Sequence, residues 1–155
     1  PDASATLRRI VGSIRAQGHR VLVCAGAAAD TVAGDLEDPA VMVVGAVDHE
    51  LVLPRCVAAV HHGGAGTTGA CARAGVPSLI AAFSADQPMW GRAISESGLG
   101  VACGISQIDD HDRLRALVGR LLDPEMANRS RTFARKMIAP DHAVTAVAEI
   151  LEQSA

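Results

Sequence analysis

The run His61-His62-Gly63-Gly64-Ala65-Gly66-Thr67-Thr68 concentrates groups that bind phosphate without a metal. Glycines let a backbone approach a ligand closely, and free N–H groups at a helix start, at the positive end of its dipole, favour an anion. Just before the glycines, His62 adds an imidazole that can donate to a phosphate oxygen. Downstream, Asp86 and Gln87 are adjacent. A carboxylate that accepts, beside an amide that both accepts and donates, suits a pair of neighbouring hydroxyls.

Two rival chemistries use the same residues. Gly64 to Gly69 spells G-x-G-x-x-G between a strand-like run and a helix, and Asp86 follows at about the distance of a dinucleotide fold's ribose carboxylate. An NAD(P)-binding domain is therefore an alternative reading. Against it, two strand-like runs precede the glycines, whereas the fingerprint belongs to the first strand–helix unit, and Asp86 ends a loop rather than a strand. A metal site at His49, His61 and His62 is the other. Adjacent histidines on a strand point to opposite faces, and no Cys, Asp or Glu completes a ligand set. We expect no metal, with His61 structural and His62 functional, and His19, His111 and His142 solvated. Trp90, after Pro88, is read as packing. Arg129, Arg131, Arg135 and Lys136 are read as a solvated helix face, with membrane association at most peripheral.

The elements that must hold these groups alternate. Leu7, Ile10, Val11 and Ile14 predict a helix from Asp2 to Ala16, stopped by Gly18. Short apolar runs predict strands at Arg20–Ala25, Ala40–Val44, Val57–Val60, Ser78–Ala82 and Leu99–Cys103, with an acidic loop between the first two. Helices are expected from Thr67 to Ala74, closing at Gly75-Val76-Pro77, and from the Phe83–Pro88 loop to Ser97. After Asp109, Asp110 and Asp112 comes a helix striped by Leu114, Leu117, Val118, Leu121 and Leu122. Two more follow: Pro124 to Met137, and one from Pro140 striped by Val144, Val147, Ala148 and Leu151. Continuous apolar strands between helices predict an α/β fold with a doubly wound, Rossmann-like parallel sheet and a helical C-terminal tail. The chain opens on a helix with no strand before it, so residues 1–155 read as one domain, a fragment lacking its first strand.

Composition narrows the partners. The 155 residues are 49% hydrophobic and 20% charged, with net charge −3, two Phe, one Trp and no Tyr. That balance is globular, and it offers neither a basic footprint nor stacking rings for nucleic acid. The longest apolar runs, Ala40–Val44 and Cys56–Val60, fall far short of the roughly 20 residues that span a bilayer. We expect a cytoplasmic domain. Cys24, Cys56, Cys71 and Cys103 form no Cys-x-x-Cys pair and are read as buried free thiols.

Four motifs now lie in register: Val47-Asp48-His49-Glu50, His61 to Thr68, Gly75-Val76-Pro77, and Ala85-Asp86-Gln87-Pro88. Together, over Val44 to Gly100, they resemble the C-terminal donor domain of family 1, UDP-glycosyltransferase-like enzymes of the GT-B fold, in the style of bacterial and sterol glucosyltransferases. The resemblance implies that His62, Gly64, Gly66 and Thr67 hold the diphosphate of a UDP- or dTDP-sugar. It implies that Asp86 and Gln87 read the sugar hydroxyls, and that Val47, His49 and Glu50 line the base and ribose pocket. It implies inverting hexosyl transfer to a hydroxyl of a lipid, sterol or natural-product acceptor, with no cofactor. The acceptor and the catalytic base would come from a separate N-terminal domain, so this chain holds no catalytic residue and alone does not transfer sugar. Plant members stack the base on a Trp where Val47 stands, hold the ribose with a Glu where Ala70 stands, and have Gln in place of Glu50. UDP and dTDP stay open. A non-catalytic nucleotide-sugar-binding module would carry the same residues.

Overall fold

The computed structural model describes residues 3–137 and 140–153. The elements are α1 (Ala3–Arg15), β1 (Val21–Cys24), α2 (Ala29–Asp35), β2 (Val41–Val44), α3 (His49–Val52), β3 (Ala59–His61), α4 (Ala65–Ala74), β4 (Ser78–Ala82), α5 (Gln87–Glu96), β5 (Gly100–Gly104), α6 (His111–Leu121), α7 (Pro124–Ala134) and α8 (Pro140–Gln153). Short 3-10 turns precede α2, follow α3 and precede α6.

Every strand pair is parallel, as continuous apolar strands between helices require. The strands are hydrogen-bonded in two groups: β1 with β2, in the register Val21 to Val41, and β3-β4-β5, with Ser78 between Ala59 and Gly100. Strands β1, β2, β3 and β5 thus each have a single neighbour, and alternate backbone groups along one edge of each, β1 and β3 included, lack a sheet partner.

Strand β4 sits at the centre, and its alternation builds two cores. Leu79 and Ala81, with Val101 and Cys103 of β5, face Leu114, Leu117, Val118 and Leu121 of α6, and Ile10 and Ile14 of α1 join this cluster. Ile80 and Ala82 face the other way, onto Ile94 and Trp90 of α5. Beside them α4 buries Cys71 against Leu53 and Val76. Leu79 and Ile80 are fully buried, and truncating either to Ala costs about 2–5 kcal/mol. Strands β4 and β5 approach so closely that a Cβ on Gly100 would lie 2.0 Å from the Ser78 carbonyl oxygen.

Several expectations change. The acidic loop contains a 3-10 turn at Gly26–Ala28 and helix α2, which is held by the partly buried Ala29 and Val32 and by the ion pair of Asp35 with Arg8 of α1. The third strand begins later, at Ala59, with a bend at Val57 where it was expected to start. Helix α4 begins at Ala65, since Gly64 caps it in an extended conformation. Asp2, expected to open α1, lies outside the described residues. The stripe on α8 is not packed: Val144, Val147 and Leu151 are 71%, 56% and 66% exposed. Of the cysteines, all free, Cys71 and Cys103 are buried, Cys56 is half-buried and Cys24 is exposed. No helix among the described residues is long and apolar enough to cross a membrane.

Candidate functional site

The glycine-rich turn joins the carboxyl end of β3 to α4, where strand ends of a parallel sheet and a helix N-terminus meet. The first α4 bond runs from Thr68 N–H to the Gly64 carbonyl at 3.0 Å, and Gly64 offers no side-chain cap. The N–H groups of Ala65, Gly66 and Thr67 therefore have no partner within the helix and point outward. Thr68 turns inward: 3% exposed, its Oγ1 donates to the same carbonyl at 2.9 Å. Half-exposed Thr67 is left at the helix mouth.

The two histidines separate as their alternation on β3 demands. The exposed His62 folds over the start of α4, where a Cβ on Gly64 would lie 2.8 Å from its Nε2. His61 points inward, and its Nδ1 accepts the Gly63 N–H at 3.1 Å. That places the ring proton on Nε2, which is buried without a partner. Burial, with the neighbouring His62 and His49, holds the His61 imidazolium pKa down at about 4, so the ring is neutral at physiological pH. Gly63 has φ 97°, and a Cβ there would meet Ile80 Cγ2 at 2.7 Å, so only glycine fits.

Gly63 also brings the second motif to the first, since its α-carbon packs on Gln87: an added Cβ would lie 3.3 Å from the Gln87 carbonyl oxygen. Gln87 Oε1 accepts the N–H groups of Phe83 and Ser84 at 2.7 and 3.1 Å, tying the loop after β4. Its amide oxygen is thus engaged, and the NH2 group is what it can offer a ligand. Asp86 Oδ2 accepts the Trp90 indole N–H at 2.9 Å. Trp90 packs against Ile80, Ile94 and Leu99, as a packing residue should, and also orients the carboxylate. Just before Asp86, Ala85 holds φ 56°, the left-handed region that costs a side-chain residue about 1–2 kcal/mol. Strain of that kind clusters at ligand sites.

The third expected group is divided. His49 and Glu50 line a groove of about 150 Å3 between α3 and α4, together with Pro54, Ala70, Arg73 and Ala74, whereas Val47 is not part of its wall. Asp48 caps α3 by accepting the Glu50 N–H at 2.8 Å and so fixes both residues. Arg73 was missed from the sequence; it stands one turn after Ala70, with its Nη1 over Gly69. Among the described residues no three His, Cys, Asp or Glu side chains gather as metal ligands. Elsewhere, His111 and His142 are exposed and His19 is half-buried. In the basic cluster, which α7 carries only as far as Arg131, Arg129 Nε donates to the Gly98 carbonyl at 3.1 Å, closing the end of α5.

This geometry has counterparts. A family model described as the erythromycin biosynthesis protein CIII-like C-terminal domain matches residues 8–153. An uncharacterized glycosyltransferase of Mycobacterium tuberculosis strain H37Rv is 40% identical over 138 residues, covering 89% of this chain and 33% of that protein. The vancomycin aglycone glucosyltransferase of Amycolatopsis orientalis is 36% identical over 140 residues, 90% of this chain and 34% of that protein. The chain spans about a third of the length of these relatives. Among solved structures, the glycosyltransferase VinC in complex with dTDP superposes with TM-score 0.77 at 25% identity, covering 95% of this chain and 38% of that one. The spinosyn rhamnosyltransferase SpnG shares the fold at TM-score 0.81 and 22% identity, over 95% of this chain and 41% of that one.

Proposed function

The chain belongs to the family of erythromycin biosynthesis protein CIII-like C-terminal domains, and from that premise we propose that it is the nucleotide-sugar-binding half of a glycosyltransferase. The observation that carries this reading is the convergence of His62, the open N-terminus of α4 and the Asp86-Gln87 pair around Gly63. The diphosphate of a UDP- or dTDP-sugar takes the N–H groups of Ala65, Gly66 and Thr67 and the His62 imidazole, with Gly64 and Gly66 keeping the approach open. Asp86 accepts from, and the Gln87 NH2 donates to, the sugar hydroxyls. His49 and Glu50 stand on the base and ribose side, and Val47, two residues before His49, belongs to the same segment. The dTDP bound to VinC supports a pyrimidine nucleoside diphosphate.

In the whole protein a base on a separate N-terminal domain removes the proton of an acceptor hydroxyl. That oxygen bonds to the anomeric carbon as the carbon–oxygen bond to the diphosphate breaks, with inversion. The charge released on the diphosphate is met by oriented N–H groups and an imidazole, with no metal invoked. The vancomycin aglycone glucosyltransferase and a sterol 3-beta-glucosyltransferase of Cryptococcus neoformans among the relatives support the hydroxyl of a natural product or a sterol as acceptor. We place the protein in the cytoplasm, where nucleotide sugars are available, and assign to this chain binding without transfer. A strand preceding α1 would supply the neighbour that β1 and β3 each lack.

Calorimetric titration with UDP and dTDP tests the reading. Saturable binding, weakened about tenfold or more in His62→Ala, is expected. Equal affinity of variant and parent removes His62 from the role, and a preference for NADH over both nucleotides returns the site to a dinucleotide.

A further inference from the structure

The turn that carries His62 is pinned from within. Pairing of β3 with β4 ends at His61 and Ile80, so the buried Gly63 lies past the ladder, and no backbone carbonyl takes its N–H. A buried N–H must find an acceptor somewhere. Here it is the His61 ring, whose Nδ1 takes that proton at 3.1 Å. One residue on, the Gly64 carbonyl accepts both the N–H and the Oγ1 of Thr68, at 3.0 and 2.9 Å. With both ends held, Gly63 keeps φ 97°, the His62 ring lies over Gly64, and Gly63 stays against Gln87.

His61 is a poor choice for packing alone. Ala59 packs on the cluster of Leu53, Cys71 and Val76, whereas Val60 joins the α6 core, so alternation along β3 sets His61 on the face toward α3 and α4. An apolar side chain there would bring no polar atom to satisfy. The imidazole instead leaves its Nε2 buried without a partner, a rare arrangement in folded chains. Burial, beside His62 and His49, also makes the charged ring unfavourable, and an uncharged ring is the form whose Nδ1 can accept. The fold carries both costs for a single bond, and what that bond secures is the shape of the turn.

We propose that His61 is a positioning residue for the nucleotide sugar: by holding the Gly63 N–H it sets His62 and the first N–H groups of α4 in place for the diphosphate, without touching the ligand itself. The inference rests on the diphosphate reading of this turn.

Two variants separate positioning from packing. His61→Asn keeps an acceptor for the Gly63 N–H; His61→Leu keeps bulk and removes the acceptor together with the unpartnered donor. Packing alone ranks Leu at or above Asn, because Leu suits a buried position, whereas positioning ranks Asn above Leu. Calorimetric titration with UDP and dTDP, well below each variant's melting temperature, is expected to give an affinity within about threefold of the parent for Asn and lower by about tenfold or more for Leu. Combined with His62→Ala, His61→Leu should lose less than the product of the two separate losses, since one residue acts through the other. Leu binding as tightly as Asn, Asn losing as much as Leu, or losses that simply multiply overturn the proposal. A parent chain that saturates with neither nucleotide removes the diphosphate reading itself, and this inference with it.

Discussion

The Trp90 indole N–H donates to Asp86 Oδ2 at 2.9 Å, one turn apart at the head of α5, so the ring packed on Ile80 also aims the carboxylate proposed to read the sugar. Two jobs fall on one side chain, and a variant can separate them. Trp90→Phe keeps an aromatic ring and removes the donor. We predict that kcat/KM of the full-length enzyme falls about tenfold, with stability lower by no more than about 1 kcal/mol. UDP or dTDP affinity stays at the parent value, because the diphosphate contacts are untouched. An unchanged kcat/KM would remove Asp86 orientation from the mechanism.

Gln87 divides similarly between loop and ligand. In Gln87→Glu an oxygen still accepts from Phe83 and Ser84, but the NH2 donors are gone. This variant is expected to melt within a degree or so of the parent yet lose the preference for sugar nucleotide over free nucleotide. Gln87→Ala frees the loop as well, and should lower the melting temperature by about 2–4 °C, as the loss of about 1 kcal/mol does in a domain of this size. Differential scanning calorimetry with parallel binding curves reads both.

Gly66 sits in the first turn of α4 with nothing within 4 Å of an added Cβ. In a helix Ala is better than Gly by up to about 1 kcal/mol, so Gly66→Ala is predicted to stabilise the fold. The added methyl occupies the phosphate approach, so nucleotide binding should weaken at the same time. A variant that gains stability and keeps full affinity would move the diphosphate elsewhere.

His61 sets a pH dependence. Its pKa is about 4 when folded and near 6.5 when unfolded, so between these values the unfolded chain binds the extra proton. Stability is then fully present above about pH 6.5 and declines as pH falls toward 4, by roughly 3 kcal/mol at most. Urea unfolding at pH 7.5, 5.5 and 4.5 measures the slope. His61→Asn keeps an acceptor for the Gly63 N–H, cannot titrate, and should flatten it.

How much of this was legible beforehand depended on what each element rests on. Strand β4 was read with its observed ends, because an apolar run between Pro77 and the polar loop admits no other register, and the α6 stripe at Leu114, Leu117, Val118 and Leu121 is buried as its spacing requires. Helix α2 was not legible, since Ala29–Asp35 has no apolar period and one of its ties to the fold, the pair of Asp35 with Arg8 of α1, is not written in its own sequence. Helix α3 did carry a signal, in Asp48 as a cap before His49 and Glu50. Within the site, motif order pointed to His62, Asp86 and Gln87, but motifs say nothing of competing bonds. That Gln87 spends its oxygen on Phe83 and Ser84 depends on the turn geometry at Ala85, a left-handed alanine that no residue preference would place there. Arg73 enters the groove only because helical spacing returns it beside Ala70.

The unmatched edges of β1 and β3 also govern how this polypeptide behaves in a test tube. Each offers a row of open N–H and C=O groups, and β1 does so within the apolar sequence Val21-Leu22-Val23-Cys24. Such an edge is a template for another molecule's strand. Isolated copies should therefore adhere edge to edge as they are concentrated, and the exposed Cys24 on the same strand gives air oxidation a means of locking those contacts. Dilute solution and a reducing agent are the conditions under which binding curves report on single molecules.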